Sequence, residues 1–263
     1  MNIVTTFANN TEFEKATRFA TERHISYTVI SPEPGFRKVG TGALVIDEAD
    51  RGRISDDGEP PFITSGWVDY HPSNASVPES APVDHAEDIF GTASIMVLRP
   101  CMADKNKLRI TSHISGDLTE VFPYMNAIHK TAFYNANAQT FSFLESYRFI
   151  TLFPRRIGIA KTDDIVDTWR VLEMLRNSFN ECWKIRETIT PNTNRRVRPP
   201  ALEIYYRLPK SNCGACGEKT CMAFAFSLWS CQTTITKCEP IFEGNFGHLK
   251  DALVEICAGL DVQ

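Results

Sequence analysis

Residues 208–221 read Leu208-Pro-Lys-Ser-Asn-Cys213-Gly-Ala-Cys216-Gly-Glu-Lys-Thr-Cys221, and Cys238 follows after sixteen further residues. Three thiols in one short loop, at the spacing C-x2-C-x4-C, can hold three corners of an iron-sulfur cubane, and a distant fourth thiol can close it. The spacing therefore predicts one 4Fe-4S cluster with four ligands: Cys213, Cys216, Cys221 and Cys238.

Two glycines, Gly214 and Gly217, lie inside the cysteine loop. Because glycine has no Cβ, the backbone at these positions can approach inorganic sulfur and turn its amides toward it. Cys221 then opens a predicted helix over Met222–Ser230, whose first amides face an anionic group. We therefore predict that both glycines contribute to cofactor binding.

Zinc is the main alternative for a four-cysteine site. Structural zinc sites usually show two separated C-x2-4-C pairs, which a triplet plus one distant cysteine does not match. The remaining thiols have other predicted roles. Cys182 and Cys257 lie on apolar helical stripes and are expected in the core, and Cys101 is expected to be structural because its sequence surroundings show nothing that activates a thiol.

The stretch 208–240 resembles the four-cysteine 4Fe-4S module of the corrinoid iron-sulfur protein large subunit and of the B subunit of Rnf-type electron-transfer complexes. The pattern Cys-Gly-x-Cys-Gly-x-x-x-Cys, an alanine-containing helix and a late cysteine are all present. Two positions depart from the module. Cys231 replaces a glycine that commonly ends the helix, and Cys238-Glu239-Pro240 replaces Cys-Pro. Corrinoid binding and additional ferredoxin clusters are not implied, because the chain has no counterpart of those domains.

The chain has 263 residues, of which 43% are apolar and 23% charged, and a formal net charge of −4. This composition is that of a globular protein, and it gives no overall attraction to nucleic acid or anionic membranes. No N-terminal signal is apparent, and the longest nearly apolar run, Cys221–Trp229, is too short to cross a bilayer. We expect a cytoplasmic protein without nucleic-acid or membrane partners.

The expected fold class is α+β, in four parts. Residues 1–50 form a small β-α-β domain whose predicted strands are Asn2–Phe7, Ile25–Ile30 and Ala43–Ile46, with a capping-box signal at Thr11 and Glu14 for its helix. This part resembles, in pattern only, a small family of sulfur or selenium carrier proteins. No cysteine precedes Cys101, so that resemblance implies no functional residue.

Residues 51–90 are rich in proline, glycine and aspartate and are predicted to be a linker or a lid. Proline removes backbone donors and disfavours helix, which favours a linker. The aromatic residues Trp67 and Tyr70 in this segment keep a lid as the alternative.

Residues 91–198 form the predicted central α+β domain, and residues 199–263 the cluster-binding module. The central strands are predicted at Ser94–Leu98, Leu108–His113, Phe141–Leu144 and Tyr147–Ala160. Asp164–Lys184 is the clearest helix, because its apolar residues recur every three or four positions. A last helix is predicted over Phe246–Leu260.

Two basic clusters stand out: Arg155 with Arg156, and Arg195, Arg196 and Arg198. Both fit a solvated surface. The second cluster also fits a docking patch for an acidic electron donor such as ferredoxin or flavodoxin, because complementary charge steers transient encounters.

The predicted function is that of an electron-transfer or accessory protein, which delivers single low-potential electrons to a larger metalloenzyme of anaerobic metabolism. The alternative is a non-redox accessory, a maturation, scaffold or sensor protein in which the cluster is structural. An enzyme in its own right is least supported, because no catalytic residues and no nucleotide-binding or triad motif are recognisable.

Overall fold

The computed structural model describes residues 1–55, 60–102, 104–195, 199–257, 260 and 262. It contains helices together with two antiparallel sheets, which confirms the α+β class, and the cysteine module lies at the C-terminus. None of the helices in these residues is both long and apolar enough to cross a membrane.

The first sheet is built by the N-terminal part of the chain. Its elements are β1 (Asn2–Thr5), α1 (Asn10–Glu22), β2 (Tyr27–Ile30), β3 (Ala43–Asp47), the short helix α2 (Arg51–Ser55) and β4 (Val68–Asp69). The strands pair in the order β2-β3-β1-β4. Helix α1 begins earlier than the predicted capping box, because the Asn9 side chain accepts a hydrogen bond from the Glu12 amide at 3.0 Å and caps the helix there.

Residues 60–92 connect the two sheets and are held by hydrogen bonds. The Ser65 amide donates to the Thr6 carbonyl at 2.9 Å, and the Leu98 amide donates to the Ser65 carbonyl at 2.8 Å. Farther along, the Ile89 amide donates to the Asn180 side chain at 2.9 Å. The described part of the predicted linker or lid is therefore packed against the fold, and its functional role stays a prediction.

The second sheet is formed by the central part of the chain. Its elements are β5 (Ala93–Pro100), β6 (Leu108–Ile114), α3 (Phe122–Ile128), β7 (Phe133–Asn135), β8 (Thr140–Glu145), β9 (Arg148–Phe153), β10 (Arg156–Thr162) and α4 (Ile165–Lys184). The strand order is β5-β6-β10-β9-β8-β7. The single strand predicted over Tyr147–Ala160 is wrong: a turn at Pro154 and Arg155 divides it into a hairpin, because proline cannot donate to the ladder.

Helix α4 packs its apolar stripe against one face of the second sheet. Trp169 and Phe179 are fully buried there, together with Ile110 and Ile159 of the strands. Val45 of the first sheet belongs to the same core, so the two sheets share one interior. The boundaries drawn at residues 50 and 90 stay predictions, and this core brings residues from both sides of each boundary into contact.

The C-terminal module has a hydrophobic core of its own. It consists of α5 (Ala201–Tyr206), α6 (Cys221–Trp229), α7 (Glu239–Phe242) and α8 (Lys250–Cys257). The helix predicted over Phe246–Leu260 is shorter in the structure. A 3-10 turn occupies Gly247–Leu249 and the α-helix begins only at Lys250, since glycine disfavours helix interiors.

Candidate metal centre

The loop between α5 and α6 carries the first three cysteines and has an unusual backbone. Lys210, Asn212, Gly214 and Gly217 all have positive φ angles, at 61°, 50°, 75° and 86°. Glycine adopts this left-handed region without a steric penalty, which accounts for Gly214 and Gly217. A Cβ at Gly217 would meet nothing within 4 Å. Backbone conformation therefore explains the two glycines, and their contact with a cofactor stays a prediction.

Two polar side chains fix the start of α6. The Asn212 side-chain oxygen accepts a hydrogen bond from the Cys221 amide at 2.9 Å, and the Thr220 hydroxyl accepts one from the Ala223 amide at 3.1 Å. Both satisfy helix-terminal donors that have no partner inside the helix. The loop and the helix that carry Cys221 are thereby held in one arrangement.

All four predicted ligands line one small pocket, which Pro209, Phe224 and Pro240 also border. Cys213 is exposed and Cys216 is half-buried, whereas Cys221 and Cys238 are 8% and 5% exposed. Cys238 comes from a separate segment, directly after the 3-10 turn Ile235–Lys237. The fold therefore brings together the loop triplet and the distant fourth thiol.

Four thiols are a donor set that suits an iron-sulfur cluster. No group of three His, Cys, Asp or Glu side chains in the described part of the chain is placed to hold one metal ion. In a cubane each cysteine binds its own iron, so the four sulfurs surround a volume rather than a point. Four thiols around one pocket match that requirement.

The four thiols have different surroundings. Backbone hydrogen bonding from Ala215, followed by a hydrogen bond from Ser211, lowers the pKa of Cys213 below its usual value. Burial raises the pKa of Cys238 to about 11, and the charges of the other three thiols add to the rise. Gathering four thiolates without a cation is therefore unfavourable, and a metal centre held there would supply the missing positive charge.

Cys231 does not line the pocket of the four thiols. It adopts a positive φ of 55° directly after α6, in the conformation that glycine usually takes at a helix end. The Cys231 amide donates to the Leu228 carbonyl at 3.0 Å and the Gln232 amide to the Ser227 carbonyl at 2.8 Å, which completes a Schellman motif. The cysteine thus ends the helix without the glycine of the similar modules.

The other three cysteines are buried. Cys101, Cys182 and Cys257 are 4%, 2% and 0% exposed. Burial raises the pKa of Cys182 and of Cys257 to about 11, which keeps both as neutral thiols. All three therefore fill the core, as the sequence predicts.

The basic residues singled out in the sequence have separate positions. Arg155 pairs with Asp117 at 3.2 Å, and the guanidinium of Arg156 lies 4.2 Å from the centre of the Phe153 ring. Arg195 is exposed, whereas Arg196 and Arg198 fall outside the described residues. The docking role of this second cluster stays a prediction.

Sequence reasoning missed the roles of Asn212 and Thr220. Asparagine and threonine directly before a helix are common N-terminal caps, so this signal was available for Thr220. Asn212 lies nine residues from the amide that it accepts, and its role depends on the path of the loop.

Residues 208–240 match the sequence profile of a family described as "Putative Fe-S cluster". The chain is 54% identical over 37 residues to the corrinoid/iron-sulfur protein large subunit of Moorella thermoacetica, which is 14% of this chain and 8% of that protein. It is 39% identical over 56 residues to the acetyl-CoA decarbonylase/synthase complex subunit gamma of Methanocaldococcus jannaschii, or 21% and 12% of the two chains. No solved structure matches significantly.

The matched segments span only about a tenth of the length of these relatives. The similarity confirms the resemblance of residues 208–240 to an iron-sulfur module and supports an iron-sulfur protein. The family profile covers residues 208–240, which lie outside the two sheets.

Proposed function

We propose that this chain binds one 4Fe-4S cluster through Cys213, Cys216, Cys221 and Cys238 and passes single electrons to a larger metalloenzyme. The observation that carries the proposal is the convergence of these four thiols, from two separate segments, on one pocket. A bound cluster supplies one-electron redox chemistry.

The surroundings of the four thiols suit electron transfer. Cys221 and Cys238 are buried in the module core, where the apolar side chain of Phe224 keeps water from that side of the pocket. Cys213 is exposed on the other side, so one corner of the site reaches the surface. Exposure and hydrogen bonds to sulfur are among the factors that set the potential of such sites.

The partners belong to the same proposal. The curated relatives in acetyl-CoA decarbonylase/synthase are, by name, subunits of a complex, which supports a larger enzyme as electron acceptor. A ferredoxin or flavodoxin would be the donor, and exposed Arg195 with its basic neighbours would attract its acidic surface. With such a soluble donor, the reaction would take place in the cytoplasm.

One observation favours the alternative of a structural cluster. Cys221 and Cys238 are members of the same hydrophobic core as Leu228 and Leu253. A cofactor joined to both thiols would therefore also hold α6 to the end of the module. In that case its loss would unfold the module, and its reduction would serve no partner.

Anaerobic purification followed by iron and sulfide analysis tests the cofactor. We expect about four iron and four sulfide per chain. Stoichiometric zinc without sulfide would overturn the proposal. Stopped-flow mixing with reduced ferredoxin then separates the two roles: rapid one-electron reduction supports the relay, and a cluster that neither ferredoxin nor a strong chemical reductant reduces would leave only the structural role.

A further inference from the structure

The second sheet has one face covered by α4 and the other face open. On the open face, called here the outer face, three cross-strand rows can be followed through the strand register. The middle row is Val97, Thr111, Gly158, Thr151 and Ser142. These side chains are all short, and the flanking rows include the larger residues Arg109, Phe149, Arg156 and Phe153.

The flanking rows form two walls. One wall contains Arg109, Ala160 and Phe149, which are direct cross-strand neighbours, and the other contains Arg156 and its neighbour Phe153. The walls are four residues apart along each strand, or about 13 Å at the usual rise per residue. The middle row crosses five strands, or about 19 Å at the usual strand spacing. We call this depression the sheet trough; its central part encloses about 350 Å³.

The trough combines the polar side chains expected of a solvated sheet face with two phenylalanine rings that are partly exposed. Phe149 is 39% exposed and Phe153 is half-buried. Gly158 contributes no side chain, and a Cβ built there would meet only the Thr151 carbonyl oxygen, at 4.0 Å. Exposed aromatic rings beside arginines are the composition typical of protein interfaces.

The charges of the outer face all have one sign. Arg99 and Arg109 are cross-strand neighbours, Arg156 lies on the opposite wall, and the three rows contain no carboxylate. Within the described residues none of these three arginines makes an ion pair. The whole chain carries a formal charge of −4, so this positive surface is local.

One end of the trough leads to the cysteine module. Phe133 of β7 continues the middle row beyond Ser142, and its side chain packs against the C-terminal core. The module therefore borders the trough at its β7 end. A molecule lying in the trough would end beside the module.

We propose that the sheet trough binds an acidic amphipathic helix of a partner protein. The walls lie about 13 Å apart, centre to centre, so an α-helix about 10–12 Å wide would rest over the middle row against the tops of the wall side chains, and about 13 residues would span the trough. An apolar stripe on the helix would cover the middle row and the two phenylalanines. Glutamate or aspartate on its flanks would pair with Arg109 and Arg156. This inference does not depend on the nature of the cofactor.

The test uses the full chain with its cofactor and a fluorescent peptide of about 14 residues. The peptide carries leucines at i, i+3, i+4 and i+7 and glutamates on both flanks. Anisotropy should show saturable binding that weakens about tenfold or more in Gly158→Phe and in Arg109→Glu with Arg156→Glu. Gly158→Phe fills the trough where space is open, and circular dichroism verifies that each variant folds.

Matched controls place the same changes elsewhere. One control is Thr28→Phe on the exposed strand β2, and the other is Arg18→Glu with Arg37→Glu on the N-terminal surface. Both should leave the affinity for the peptide unchanged. A peptide with lysine in place of glutamate should not bind. The proposal would be overturned if the trough variants bound the peptide as tightly as the native chain. It would also be overturned if an oligothymidylate bound in preference to the peptide, or if the chain associated with itself through this face.

Discussion

The side-chain oxygen Oδ2 of Asp88 accepts two hydrogen bonds from the fully buried guanidinium of Arg176, from Nη2 at 2.6 Å and from Nε at 3.1 Å. Asp88 comes from the connecting segment and Arg176 from the middle of α4. The pair therefore fastens the end of the connecting segment to the central helix. Its position also fixes the start of β5, five residues farther along the chain.

Replacing Asp88 with alanine should destabilise the central fold by about 2–3 kcal/mol. The change leaves a buried guanidinium with Glu173 as its remaining carboxylate partner. Urea unfolding followed by tryptophan fluorescence measures the loss. Lys184→Ala, which removes an exposed ion pair with Glu181, is the control and should cost less than about 0.5 kcal/mol. Equal effects of the two variants would show that the buried pair contributes no special stability.

The same carboxylate predicts a pH dependence. Burial raises the pKa of Asp88, but hydrogen bonds from Arg176, from Asn180 and from the Gly91 amide outweigh it and hold the pKa below its ordinary value. A lowered folded pKa gives stability above the unfolded pKa of about 3.9, and that stability disappears as the pH falls through the folded pKa.

We therefore expect the difference in unfolding free energy between the native chain and Asp88→Asn to be largest near neutral pH. It should shrink as the pH falls below about 4. Comparing the two proteins at each pH cancels the acid loss of a cofactor, which both share. A difference that stays constant down to pH about 2 would contradict the prediction.

Asn212→Ala should loosen the cysteine loop. The change removes the side-chain oxygen that accepts a hydrogen bond from the Cys221 amide. It also places alanine at a φ of 50°, a conformation that asparagine tolerates better because its side chain can form local hydrogen bonds. We expect loss of iron to a chelator to be about fivefold to tenfold faster. Asn212→Asp keeps both the acceptor and a tolerance for positive φ, so its rate should stay near that of the native chain. If Asn212→Ala lost iron as slowly as the native chain, the hydrogen bond from the Cys221 amide would not be needed to retain the metal.

Serine in place of each proposed ligand should prevent assembly of an intact cluster. Cys213→Ser, Cys216→Ser, Cys221→Ser and Cys238→Ser should each lose the visible absorbance and part or all of the iron, because the oxygen of serine is a poorer iron ligand than thiolate. Cys231→Ser is the matched control, since Cys231 lies just past the far end of α6 and outside the pocket of the four thiols. If Cys231→Ser lost the cluster and Cys238→Ser kept it, the assignment of Cys238 as the fourth ligand would be wrong.

Charge reversal at Arg195 and Arg196 should slow reduction by ferredoxin. The two arginines would attract an acidic donor, so their replacement by glutamate lowers the association rate, and added salt lowers it in the native chain. Stopped-flow rates at several salt concentrations measure both effects. Arg18→Glu with Arg37→Glu makes the same change in net charge at a distant surface and should alter the rate far less. Similar slowing in both pairs would exclude a local docking patch.

Much of the local structure could be predicted from residue spacing. The cysteine triplet with Cys238 indicated the site, because ligand geometry restricts the spacing of thiols on one loop. Helix α4 was recognisable from its apolar stripe, because one buried face imposes a period of three to four residues. Each of these signals lies within at most 26 consecutive residues and needs no knowledge of the rest of the chain.

The tertiary structure decided which distant segments meet. The Asp88–Arg176 pair joins positions 88 residues apart, and the Asn212–Cys221 hydrogen bond joins the two ends of a loop, so each contact depends on the path of the chain between them. The sheet trough depends on register: Gly158 lies between Thr111 and Thr151 only because three strands pair in one alignment. A shift by one residue would move these side chains to the opposite face. Sequence spacing indicates the candidate ligands and determines the local periodicity, whereas pairing between distant segments follows from the free energy of packing the complete core.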